Sequence, residues 1–116
     1  MTATSRQEAT RRSIRPDLPG ADVVAAGIED LRRGEFTVEA LLVAVGAPRL
    51  RSAGLEIPDA PDCPESPELA LYAAIGEREA GNTHSRYNAL IRRLVRFERA
   101  MEALHPVPGP HRVRNR

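Results

Sequence analysis

The apolar residues of this chain recur with helical spacing in several runs, separated by glycine, asparagine and proline. The longest run covers 84–104. There Tyr87, Leu90, Leu94, Phe97, Met101 and Leu104 follow one another at steps of three and four. Those steps draw an apolar seam down one helix face. Ile91 and Val95 widen it on one flank, beyond the narrow stripe of a coiled coil. The pattern predicts a helix over 83–104, stopped by Pro106, that contacts at least two neighbours and organises the core.

Three shorter runs precede it. Val24, Ile28 and Leu31 share a face of a helix predicted over 22–33, with Asp22 as its cap and Gly34 as its C-terminal stop. Val38, Leu41, Leu42 and Val45 mark a second helix over 37–46, capped by Thr37. The short Gly34–Thr37 link makes the two an antiparallel hairpin. Gly46-Ala47-Pro48 interrupts the pattern. We expect a break there, with Pro48 opening a short separate segment through Ala53, rather than a kinked continuous helix. Ser66-Pro67-Glu68 opens a further helix over 67–80, with Leu69, Tyr72 and Ile75 inward, Leu71 as a further inward candidate, and Gly76 as a point of close approach. Gly81-Asn82 ends it.

Between these helices the pattern changes period. Over 57–68 proline recurs every third residue, at Pro58, Pro61, Pro64 and Pro67, and a carboxylate follows each one. Polyproline II has three residues per turn, so prolines line one edge, carboxylates a second, and Ile57, Ala60, Cys63 and Ser66 the third. Residues 56–67 therefore read as an extended acidic connector, either a stiff linker or a strap laid over arginines. The whole predicts an all-α fold: a small bundle of about four helices in one domain over 17–105. Residues 1–16 and 106–116, the latter proline-rich, read as mobile basic tails.

Charge sharpens this reading. The net charge is only +1, yet residues 17–81 carry thirteen acids against five Arg, while residues 82–116 carry eight Arg against two Glu. Such a chain suits pairing with itself or with a charged partner. All 17 basic residues are Arg, the side chain better suited to bidentate contacts with carboxylate or phosphate. Leu, Ile, Val and Phe number 26 of 116, a thin core that favours burial against a second copy or another protein. The single Cys63 excludes an intramolecular disulfide. No run is long and apolar enough for a membrane span or a signal peptide, so a cytoplasmic, bacterial protein without membrane association is expected.

Candidate chemistry is sparse. Cys63, His84, His105 and His111 lack the paired spacings of metal ligands, and no glycine loop suited to phosphates occurs, so neither metal nor cofactor is expected. His84 and Ser85 are adjacent and diverge on a helix, and no oriented acid joins them. Asn82, Thr83 and Ser85 suit a helix start. Arg92, Arg96 and Arg99 form one exposed stripe, with Arg86 and Arg93 nearby. These five arginines are the candidate partner- or anion-contacting residues. They suit a solvated face, a protein partner or nucleic acid through phosphate contacts.

Arg78 and His84, with five residues between them, resemble the Arg-then-His motif of HEPN-type ribonucleases. That resemblance implies a small helical bundle cutting RNA without metal, with Arg78 and His84 as the catalytic pair. Glu79 departs from the polar amide, His or Asp usual in that family, and Gly81-Asn82 place a helix break inside the motif. The function expected first is non-catalytic: a small interaction or regulatory protein, antitoxin-like, binding another protein or itself. Ribonuclease activity and Arg-mediated nucleic-acid binding are the alternatives.

Overall fold

The computed structural model describes residues 14–104. They form four helices, α1 (Ala21–Arg32), α2 (Val38–Ser52), α3 (Pro67–Arg78) and α4 (Thr83–Leu104), with one 3-10 turn at Ala80–Asn82. No strand occurs among the described residues, and the fold is all-α. The expected tails lie outside the described residues except for 14–16. There the structure differs from expectation, because Ile14 is buried in the core and the Leu18 amide turns back onto the Arg15 carbonyl.

The hairpin ends are built by local chemistry. α1 starts from Gly20, in the left-handed region at φ 80°, and not from an Asp22 cap. A side chain at Gly20 would also collide with the Arg93 carbonyl, 2.9 Å away, so glycine lets α1 start against α4. Asp22 lies in the first turn, where a carboxylate is favoured by the helix dipole. At the other end the Gly34 amide donates to Leu31 and the Glu35 amide to Asp30. This is a Schellman closure, and the left-handed Gly34 makes it possible. Thr37 caps α2 as expected, accepting from the Ala40 amide at 3.1 Å, and its hydroxyl donates to Asp30 at 2.6 Å, tying the hairpin shut. Gly54 repeats the Schellman closure at the end of α2.

The expected break at Gly46-Ala47-Pro48 does not occur, because α2 runs unbroken to Ser52. Proline removes the amide that would donate to the Ala44 carbonyl. Pro48 is exposed and Ala44 only half-buried, so the freed carbonyl falls on the side of the helix nearest water. The organising element also differs from expectation. α2 buries Val38, Ala40, Leu41, Leu42, Val43, Gly46, Ala47 and Leu50, which together cover most of its circumference. It packs on α1, α3 and α4, so the bundle is assembled around α2 and α4 forms one wall of it. α1 crosses α2 at Gly27, where a methyl group would overlap the Glu39 carbonyl and a Val43 methyl.

α4 buries Leu90, Leu94, Phe97 and Met101, four of the six seam positions; Tyr87 is half-buried and Leu104, at the end, is 39% exposed. α3 is turned relative to expectation. Its buried residues are Leu71 and Ile75, whereas Leu69 is 73% and Tyr72 39% exposed.

The connector keeps its three-residue period. Ile57 is buried, Ala60, Cys63 and Ser66 are half-buried, and the intervening acids are exposed. It is not one extended rod, however: a turn at Ala60–Cys63, closed by the Cys63 amide on the Ala60 carbonyl, bends it. Its arginine partner is Arg51 of α2, which donates to the Ile57 carbonyl at 3.1 Å and lies 3.7 Å from Asp59.

Candidate interaction surface

α3 and α4 form an antiparallel pair joined by the Ala80–Asn82 turn. Leu71 and Ile75, four apart, point α3 at α2, and that leaves the opposite side uncovered. Leu69, Tyr72, Ala73 and Gly76 recur at i, i+3, i+4 and i+7, which is an apolar stripe with helical spacing on the solvent side. Tyr72 leans on Tyr87 of α4, ring centroids 5.4 Å apart at 56°. Such tilted pairs add about 0.5–1.5 kcal/mol beyond area burial. Ile91 and Val95 continue from Tyr87 along the same i+4 ridge, each half-buried. Leu69, Tyr72 and Ala73 thus leave an exposed apolar face on α3 beside Tyr87, while Tyr87 and Ile91 of α4 are themselves partly buried against the core.

The five candidate arginines divide into two sets. Arg93 donates to Asp22 at 3.1 Å, tying α4 to the start of α1, and Arg86 lies 3.5 Å from Glu79. Both pairs are exposed and worth little individually. Arg92, Arg96 and Arg99 are exposed and make no ion pair among the described residues. This stripe borders the apolar face beside Ile91 and Val95.

The strongest polar site involves none of the five. Glu98, only 4% exposed, sits where Gly46 leaves room for it on α2. Arg49, one turn further on, donates to Glu98 at 3.2 Å and grips Glu102 with two bonds of 2.7 and 2.9 Å. Burial pushes the Glu98 carboxyl above the usual glutamate range, against the pull of Arg49. The Arg49 hydrogen bonds hold Glu102 below it. Sequence reasoning missed this cluster. The one signal was Glu98 interrupting the apolar flank between Val95 and Met101, beside a Gly46 that accommodates it.

Arg78 ends α3 and His84 lies in the first turn of α4, on opposite sides of the 3-10 turn. No hydrogen bond or ion pair joins them among the described residues; the His84 ring pairs with the Asn88 amide at 3.2 Å. Arg78 does line a crevice with Glu79 and Arg86, but its volume of about 20 Å³ holds no more than a water. Beside the connector, Leu31, Ala47, Ile57 and Cys63 line an open depression of about 590 Å³. Its charged groups, Arg51 and Asp59, already face each other, and burial raises the Cys63 thiol's pKa, which keeps it a poor nucleophile. Among the described residues no three metal-ligating side chains converge, and no helix is long and apolar enough to cross a membrane. Comparison of the chain with protein-family models, with curated proteins and with solved structures finds no match.

Proposed function

We propose that this chain is a small helical interaction protein that docks another polypeptide on the α3–α4 face. The observation that carries this reading is the exposure of Leu69 at 73%, within a stripe that continues through Tyr72 and Ala73 to Tyr87, on which Tyr72 leans. A scattered exposed leucine is ordinary, whereas a contiguous apolar stripe on regular secondary structure marks a contact surface. Aromatic residues are the side chains most enriched in such contacts, and two of this chain's four aromatics lie together here. The role needs no catalytic group. It suits a regulatory or antitoxin-like partner, whose work is to cover or hold another surface.

The test is a photo-crosslinking amino acid placed at Leu69 or, as a control, at the exposed Arg33, in the full chain within its source cells. Position 69 is expected to give a discrete adduct that Tyr72→Glu abolishes and that position 33 does not give. Absence of an adduct at 69, or equal adducts at both positions, contradicts the proposal.

A further inference from the structure

We propose that the outer side of α4 is a nucleic-acid-binding surface, on which Arg92, Arg96 and Arg99 hold the phosphates of a duplex backbone without reading its sequence. This surface is separate from the exposed side of α3, and neither reading depends on the other. At about 100° per residue, the three arginines fall within about 60° of one another, opposite the buried Leu94 and Met101. Ser85, Ala89, Ala100 and Ala103 fill the same side with small groups that let a long polymer come close.

No acid occurs between Glu79 and Glu98. Glu98 is buried against α2, and both Glu98 and Glu102 are held by Arg49. Arg49, and after it Arg99, lowers the pKa of the Glu102 carboxyl, yet only Arg49 closes an ion pair with it among the described residues. The outer side of α4 therefore carries three exposed guanidiniums that no described carboxylate pairs with. Arg92 and Arg96 stand four apart and Arg96 and Arg99 three apart, like charges that weaken a helix. A solvated helix face ordinarily alternates acid with base, and an anionic ligand relieves the repulsion here. A protein interface is built around a desolvated apolar centre, whereas this stripe contains no large apolar side chain. Its charges stand in a line of about 10 Å, at 1.5 Å per residue, which matches a polymer whose own charge is spread along an axis. Guanidinium forks suit phosphate oxygens. No aromatic residue lies in the stripe to stack on unpaired bases, which favours a duplex over a single strand.

The test is fluorescence anisotropy of labelled duplex DNA and duplex RNA, each in two unrelated sequences, titrated with the full chain over a range of salt. Far-ultraviolet dichroism confirms that each variant is helical. Both terminal segments also carry arginine, so the difference between variants locates the site. Wild type is expected to bind without regard to sequence and more weakly as salt rises, and the tighter-bound duplex names the source of the phosphates. Arg92→Gln, Arg96→Gln and Arg99→Gln should each reduce the slope of log affinity against log salt by about one, and the triple variant by about three. Arg33→Gln, which removes the same charge elsewhere, should leave the slope unchanged. No binding of either duplex at low salt overturns the proposal. So does a triple variant with the wild-type slope, which would place binding in the terminal segments. So does tighter binding of polyglutamate than of either duplex, lost in the triple variant, which would make the stripe a carboxylate surface.

Discussion

At Gly46 a methyl group would sit 2.7 Å from the Glu98 carboxylate and 3.0 Å from a Leu94 methyl. The glycine is what lets a carboxylate reach the interior, and Arg49 is what makes its presence tolerable there. The Glu98 carboxyl keeps its proton to higher pH in the folded chain than in the unfolded one. The folded state thus binds more protons across that interval, and stability falls as pH rises through it. Glu102 and Asp17, held below their ordinary values by bonds from Arg49 and Arg15, act in the opposite sense. Their contribution is present at neutral pH and is lost as pH falls through their lowered values. Glu98→Gln is therefore expected to remove the decline in stability above the usual glutamate pKa of about 4.3, while the acid loss remains. Arg49→Met should cost about 1–3 kcal/mol near neutrality and less in acid, where Glu98 is protonated. Urea unfolding across this pH range checks both; an unchanged pH slope in Glu98→Gln contradicts the assignment.

Among the elements, α4 was the most legible and α3 the least. The seam of α4 runs against polar residues at almost every other position, so only one face can turn inward, and Leu90, Leu94, Phe97 and Met101 do. α3 reads PELALYAAIGER, with apolar residues around most of its circumference, so periodicity alone cannot choose between Leu69–Tyr72 and Leu71–Ile75. The central place of α2 is hard to read from sequence for a related reason. A helix that is apolar on nearly every side shows little amphipathic contrast, and Pro48 made it look shorter than it is. The same ambiguity conceals the exposed side of α3, because spacing sets Leu69 and Tyr72 in the core; the arginine stripe of α4 is legible from spacing. Arg49 and Glu98 lie far apart in sequence, and no local pattern pairs them. Packing distinguishes the two sides of α3. Leu71→Ala should destabilise by about 2–5 kcal/mol, whereas Leu69→Ala should stay within about 0.5 kcal/mol. Thermal or urea unfolding of the two variants decides; a comparable loss at Leu69 would mean that α3 is turned the other way.

For the molecule as a whole, the charge asymmetry of the sequence becomes a spatial arrangement. Acids precede and punctuate α3, while the outer side of α4 carries Arg92, Arg96 and Arg99. Most ion pairs that join distant elements, Asp22 with Arg93 and Arg49 with Glu98 and Glu102, hold α4 to the hairpin and leave this outer side unused. The apolar face of α3 around Leu69 and Tyr72 remains open to solvent in a lone chain. The account's central claim is that this face is covered when the protein works. Carbene footprinting measures that directly, by comparing side-chain labelling of the chain inside its source cells with that of purified chain at high dilution. The account predicts strong labelling of Leu69 and Tyr72 in the dilute protein and protection of both in cells, with Arg33 labelled equally in the two. Equal labelling of Leu69 and Tyr72 in both settings would contradict it.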